Sequence, residues 1–162
     1  MKKLIIPFLL SGLIFTAGTQ IASAQVVLKE VTISVTASKV AITKKVSESF
    51  DRLFKGAVKP IWYNANKRFI VNFILDDQKH KAEFTKGGQL LYVLVYGNEE
   101  HMPQDVRAVV KSKYFDYNIT STVKIDVDGK TVWLVNIEDA RQFYVLRVED
   151  GDMSIMNNFK KS

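Results

Sequence analysis

The stretch that decides the fold is RFIVNFIL at Arg68–Leu75, and it has a counterpart in TVWLVNI at Thr131–Ile137. Both are short, largely apolar runs of the length of a strand. Each also places an asparagine after a valine, at Asn72 and, sixty-four positions later, at Asn136. Because self-similarity at a fixed period indicates the architecture before any local motif does, the sequence predicts one supersecondary unit present twice.

Outward from these stretches, each copy opens with a short amphipathic helix, at Val46–Phe54 and at Val106–Val110. Turn chemistry separates the strands that follow, most clearly at Asp128-Gly129, a strong hairpin signal. The predicted strands are Val58–Tyr63, Arg68–Leu75, Lys79–Thr85, Gln89–Tyr96, Val123–Val127, Thr131–Ile137, Gln142–Val148 and Met153–Phe159. The fold class is therefore predicted as α+β, with tandem helix-plus-antiparallel-meander repeats that form one continuous or two adjoining sheets with the helices on one face.

The chain begins with the features of an export signal. Met1, Lys2 and Lys3 precede an apolar run at Leu4–Phe15, and Ala22-Ser23-Ala24 supplies a cleavage site. The predicted organisation is a signal peptide at 1–24, an amino-terminal strand and connector at 25–42, a first repeat at 43–98 and a second repeat at 99–162. The repeats form one structural domain, and the expected location is the periplasm or the medium, with no membrane span after cleavage.

Amino-acid composition further limits the class of protein and its partners. Of 23 basic and 17 acidic residues, only Lys2 and Lys3 leave with the signal peptide, so the mature chain carries a net charge of +4. An exported protein meets no chromosome, and nucleic acid is therefore not an expected partner. The chain has no cysteine, which excludes disulfides, thiol nucleophiles and thiolate metal sites. We expect a monomer or weak dimer.

Strand alternation also assigns side chains to faces. One face is expected to form the core under the helices, with Trp133 in it; the set is Phe69, Val71, Phe73, Val123, Ile125, Val127, Trp133, Val135 and Ile137. The opposite face is also apolar, with Leu134, Phe143 and Val145 in the second copy. An antiparallel sheet covered on one side normally has polar residues on the other. Either this face binds something, or the amino-terminal strand (Val27–Thr36) or the other copy covers it.

These patterns resemble the exported PepSY-like proteins, which are grouped in fold with beta-lactamase inhibitory protein. The motifs that carry the resemblance are Phe54–Ala57, Phe69-x-Val71-x-Phe73, Met102-Pro103-x-x-Val106, Trp133-x-Val135-x-Ile137 and Glu149-Asp150-Gly151, within Thr43–Phe159. The resemblance implies a non-catalytic tandem design whose inhibitory relatives bind an enzyme across a concave sheet face. It brings no functional residues with it, because no set of them is shared widely enough to be carried over. The inhibitor also relies on disulfides and on particular loop residues, and this chain has no cysteine, so inhibition is an analogy of fold alone.

No local motif in the sequence predicts a catalytic or metal-binding site. His80 and His101 are the only histidines; the first lies between two lysines and the second follows two glutamates. A zinc site needs three or four converging ligands, so we predict no metal, no cofactor and no catalytic residue. Enzymatic activity would require a polar cleft containing His80 or His101.

The sequence therefore predicts an exported binding module. Its partner is expected to be an unknown protein of the cell envelope, for example an enzyme that it inhibits or senses, bound by the sheet face away from the helices. The predicted contact residues are Tyr92, Tyr96, Leu134, Phe143 and Arg147. The alternative function is a carrier of a small apolar ligand, which requires a cavity between sheet and helices.

Overall fold

The computed structural model describes residues 40–161. The predicted signal peptide and the predicted strand at Val27–Thr36 lie outside the described residues. The first half contains α1 (Lys44–Leu53), β1 (Val58–Ala65), β2 (Arg68–Leu75), β3 (Gln78–Thr85) and β4 (Leu90–Gly97). The second half contains a 3₁₀ turn (Glu99–His101), α2 (Gln104–Lys113), β5 (Asn118–Val127), β6 (Lys130–Glu138), β7 (Gln142–Glu149) and β8 (Asp152–Lys160).

All eight strands belong to one antiparallel sheet, and their order across it is their order in the chain. The prediction of an α+β fold is therefore confirmed, and the sheet is continuous through the pairing of β4 with β5. The element order is helix then four strands in each half. The predicted sequence repeat stays a prediction.

Four of the hairpins have two-residue loops in which both residues have positive φ. In the first half these pairs are Asn66-Lys67 and Asp76-Asp77; in the second they are Asp128-Gly129 and Asp150-Gly151. Type I′ turns require this backbone and match the twist of the flanking strands. The loops therefore determine which residues of neighbouring strands lie opposite each other.

Each helix packs over its own half of the sheet, and both lie on the same face. Under α1, Val46 and Phe50 contact a cluster that includes Phe69, Val71, Phe73, Ala82, Phe84 and Val93. Under α2, Val110 lies in a cluster with Tyr114, Ile119, Trp133, Val135, Ile137, Leu146 and Val148. Trp133 is buried, as predicted. Side chains fill most of the space beneath both helices, but a cavity of about 370 Å³ remains between α2 and the sheet, lined in part by Val106, Val109, Trp133 and Val148. The alternative function as a carrier therefore stays a prediction.

Helix α1 is tied to the β3–β4 turn at its first residues. The Thr43 hydroxyl caps the helix by accepting from the amide of Val46, and it donates to the backbone oxygen of Lys86 at 3.0 Å. Gly88 has φ +87°, and a Cβ there would lie 2.5 Å from the backbone oxygen of Lys45. Only glycine therefore lets the turn and the helix approach this closely.

One predicted face assignment is wrong. Val123, Ile125 and Val127 were expected to share the core face with Trp133, but the partner of Trp133 on β5 is Lys124. The loop at Asp128-Gly129 pairs Val127 with Lys130, and that register turns the three apolar residues to the face away from the helices. A slip of one residue exchanges the two faces of a strand, so the turn overrides the apolar pattern.

The two edge strands differ. On β1, Lys59 has φ +54° and Pro60 follows, where the register with β2 is interrupted. On β8, nine residues run along the outside of β7, with a register shift opposite Val145 and Leu146. Three large apolar side chains of β8 are exposed: Ile155, Met156 and Phe159.

Candidate protein-binding face

The sheet face away from the helices, here called the open face, has an apolar centre. Cross-strand pairing places Leu94 beside Ile125, and Ile125 beside Val132. The rows on either side continue the band, which comprises Tyr92, Leu94 and Tyr96 of β4, Val123, Ile125 and Val127 of β5, and Val132 and Leu134 of β6. These side chains are partly exposed, and Tyr96 is 40% exposed.

Charged residues border this apolar band on both sides. On β3, Lys79, Lys81 and Glu83 lie opposite the β4 residues of the band. On β7, Arg147 lies opposite Leu134, and its guanidinium contacts the carboxylate of Glu149. An apolar centre with a charged rim is the usual anatomy of a protein–protein interface. Eight strands about 4.8 Å apart and about 26 Å long give a face of roughly 900 Å², comparable to one side of a standard interface.

The predicted contact residues all lie on the open face, but they do not form one cluster. Tyr96, Val123, Leu134 and Arg147 are successive partners in a single row across β4 to β7. Tyr92 and Phe143 lie four residues from that row in opposite directions, so strand geometry separates them by roughly 30 Å. Phe143 instead packs near Phe159 of β8, with ring centroids 6.2 Å apart. The structure thus brings together Tyr96, Leu134 and Arg147.

At the first-half corner of the band, Tyr92 is held by a buried carboxylate. Burial alone would raise the pKa of Glu83, yet hydrogen bonds from Arg68 and Tyr92 and the charges of Arg68 and Lys81 hold it below the ordinary glutamate value. The Arg68 Nη1 to Glu83 Oε1 distance is 2.8 Å. Burial, and then the hydrogen bond to Glu83, raise the pKa of Tyr92 to about 12. Glu83 is therefore ionised and Tyr92 neutral at physiological pH.

Sequence reasoning missed the centre of the open face. Val123, Ile125 and Val127 supply the whole β5 contribution, and all three had been assigned to the core. The signal was present in the predicted turn, because a two-residue loop at Asp128-Gly129 pairs Val127 with Lys130 and Ile125 with Val132. Counting back from the turn gives the correct face.

The two histidines meet at a pocket on the other face of the sheet. This histidine pocket, of about 330 Å³, is lined by Gln78, His80, Val95, His101, Pro103, Thr122, Lys124 and Trp133. Residues 40–161 contain no group of three or more His, Asp or Glu placed to hold a metal ion. Neither helix of the described segment has the length and apolarity to cross a bilayer.

Comparison with solved structures identifies the fold. A BLIP-like protein from Bacteroides fragilis matches with a TM-score of 0.61 at 14% identity, covering 75% of this chain and 87% of that one. A DUF2874 family protein from Bacteroides uniformis matches with a TM-score of 0.59 at 11% identity, covering 74% and 90%. A Bacteroides eggerthii protein, provisionally described as periplasmic, has a TM-score of 0.59 at 9% identity, covering 75% and 90%.

No protein-family model and no curated protein matches the sequence. The chain therefore has the fold of these Bacteroides proteins, an eight-stranded BLIP-like sheet with helices on one face, and the likeness extends to the fold alone. The predicted kinship with beta-lactamase inhibitory protein is supported at the level of the fold, whereas the PepSY-like part of that resemblance stays a prediction.

Proposed function

We propose that this protein is an exported, non-catalytic binding module that engages a folded protein of the cell envelope through the open face. The observation that carries the proposal is the apolar band on β4, β5 and β6 between charged residues of β3 and β7. Apolar side chains half-exposed on a continuous sheet are most stable when a partner removes them from water.

The class of partner follows from the shape of this face. A surface of roughly 900 Å² is large enough to bind a folded protein, and it includes a depression of about 430 Å³ that Tyr96 shares with Ile61, Ile74 and Lys79. Tyr96 and Leu134 lie in one row of the apolar band and Arg147 at the charged end of that row, and tyrosine and arginine are the residue types most often found at energetic centres of interfaces. The BLIP-like and periplasmic descriptions of the matching structures support an exported inhibitor or sensor of an envelope enzyme.

Site-specific photo-crosslinking in the periplasm tests the proposal. A benzophenone amino acid replaces Tyr96 in one variant and Phe115, which is 74% exposed and lies outside the sheet, in a matched control. We expect one discrete adduct from position 96 and none from position 115, because only the open face contacts the partner. Equal adduct formation from both positions would contradict the proposal.

A second comparison locates the contact on the face. Replacing Tyr96 and Leu134 together with serine should remove the adduct formed from a crosslinker at Val123, which lies between them. Replacing Phe143 with serine should leave it, because Phe143 lies about 13 Å along the sheet from the central row. Leu53→Ser, on α1, serves as the control for loss of an exposed apolar side chain elsewhere.

A further inference from the structure

The histidine pocket lies on the face of the sheet that the two helices cover. His80, Val95, Lys124 and Trp133 are successive cross-strand partners on β3, β4, β5 and β6. They lie where neither helix covers the sheet completely, so His80, Val95 and Lys124 are partly exposed. His101 reaches the same pocket from the 3₁₀ turn. The only two histidines of the chain thus come together beside a lysine.

Gly97 lies beside three residues that line the pocket, Gln78, His101 and Thr122. A Cβ at Gly97 would lie 3.0 Å from the His101 Cβ, 3.1 Å from Gln78 Nε2 and 3.1 Å from Thr122 Oγ1. These contacts would be tighter than ordinary van der Waals separation, and Gly97 needs no positive φ that would explain the glycine otherwise. Its missing side chain therefore allows polar groups of β3, β5 and the 3₁₀ turn to approach each other.

Both histidine rings make their hydrogen bonds through the same nitrogen, Nδ1. His80 Nδ1 lies 3.0 Å from the backbone oxygen of Gln78, and His101 Nδ1 lies 2.5 Å from Asn98 Oδ1. In the described part of the chain, the hydrogen bonds of both rings run through Nδ1, which leaves Nε2 for a ligand. A protonated imidazole donates from that atom.

The charge of the lining decides the kind of ligand. Lys124 adds an ammonium group, whose ion pair with Asp126 at 2.9 Å leaves further donor positions on the nitrogen. No carboxylate lines the histidine pocket, and a lysine there disfavours a metal cation. Val95, Pro103 and Trp133 provide an apolar wall, and a volume near 330 Å³ is at the small end of ligand sites.

We propose that the histidine pocket binds a small organic anion, with its carboxylate at His80, His101 and Lys124 and its apolar part against Trp133. The site is on the opposite face of the sheet from the protein-binding face, so it goes beyond the proposed function and can fail or succeed independently of it.

Benzoate is a suitable probe, with benzamide as the neutral molecule of the same shape. The two histidines give two ring ε1 resonances, which single His→Gln variants assign. We expect benzoate to shift both resonances saturably and benzamide to shift neither. Lys124→Met should weaken benzoate binding about tenfold, because it removes a charge-assisted contact.

Glycine variants test the geometry. Gly97→Ala should abolish the benzoate shifts by pushing His101 and Gln78 apart, whereas Gly87→Ala, whose Cβ would meet only Thr85 Oγ1 at 3.7 Å, should bind as the unaltered protein does. If Gly97→Ala does not fold, Lys124→Met tests the proposal instead. We expect that variant to fold because Lys124 is partly exposed. Four outcomes would each overturn the proposal. Benzamide could shift the resonances as benzoate does, benzoate could give no saturable shift, Lys124→Met could bind benzoate unchanged, or zinc chloride could be the only addition that shifts the resonances.

Discussion

The two halves of the sheet have matching strand registers, but different side chains form their cores. Val71 pairs with Ala82 in the first half, and Val135 pairs with Leu146 in the second. Around these positions the first core is built from phenylalanine, with Phe50, Phe54, Phe73 and Phe84 in mutual ring contact. The second core is largely aliphatic and has its tyrosines at one end. Register and turn geometry therefore define this architecture, and different sets of apolar side chains can fill its core.

The halves differ on the open face as well. Glu83, opposite Ile70 in the first half, occupies the register that Arg147, opposite Leu134, occupies in the second. The same scaffold position thus carries an acidic group in one half and a basic group in the other. Both groups are already paired, because Glu83 is buried against Arg68 and Arg147 contacts Glu149, so the two halves carry ion pairs of opposite polarity at this position.

The largest effect is expected from emptying either core. Phe84→Ala and Trp133→Ala should each lower the free energy of unfolding by about 3–5 kcal/mol, the usual range for buried aromatic residues. Both side chains are buried, at 0% and 8% exposure. Urea denaturation followed by circular dichroism measures the change, and a loss below about 1 kcal/mol would contradict the core assignment.

The same series shows whether the halves unfold together. Trp62 lies in the first half and Trp133 in the second, and they are the only tryptophans. In a Trp62→Phe background, Phe84→Ala should lower the unfolding midpoint that Trp133 fluorescence reports, because the sheet is continuous through β4 and β5. An unchanged Trp133 midpoint would show two independent units.

A smaller effect is expected where α1 meets the β3–β4 turn. Gly88→Ala should cost about 2–3 kcal/mol, because it adds a clash with the Lys45 backbone to the strain of positive φ. Gly151→Ala is the matched control in the second half: it has φ +84° but no atom within 4 Å of the added Cβ. We expect about 1 kcal/mol there, and equal losses at both sites would exclude a role for the close contact.

The buried carboxylate of the first half predicts a pH dependence. The folded-state pKa of Glu83 is depressed, so its contribution to stability is present above the unfolded-state pKa and is lost as the pH falls through the folded-state value. Glu83→Gln should therefore be less stable than the unaltered protein at neutral pH and lose less stability on acidification. Parallel stability curves for the two proteins between about pH 7 and pH 2 would contradict this.

The smallest effect concerns the hairpin loops. Lys67 adopts φ +70° in the first half, whereas the corresponding loop of the second half has Gly129 at φ +76°. Lys67→Gly should raise the free energy of unfolding by about 0.5 kcal/mol, since relief of the left-handed strain exceeds the entropy that glycine loses. Gly129→Lys should have the opposite sign. Thermal midpoints of the two variants check both signs, and a destabilised Lys67→Gly would refute the argument.

Local patterns predicted the elements well, and their relative register less well. The apolar run at Arg68–Leu75 and the hairpin at Asp128-Gly129 were readable because each depends on neighbouring residues alone. The face of β5 was assigned wrongly because its apolar pattern, at Val123–Val127, fits either side of the sheet and only the hairpin register decides between them. The histidine pocket was not predicted, because His80 and His101 are brought together by pairing of β3 with β4 and by the turn after Gly97.

The two edges of the sheet differ in how readily they can pair with another strand. At β1, the left-handed residue Lys59 and the missing amide hydrogen of Pro60 obstruct the docking of another strand. At β8, the outer backbone groups pair with no other strand of residues 40–161, the side chains of Ile155, Met156 and Phe159 are exposed, and the one lysine of the strand, Lys160, is its last residue. A ninth strand, whether from a partner or from misassembly in concentrated solution, would therefore join this molecule beside β8.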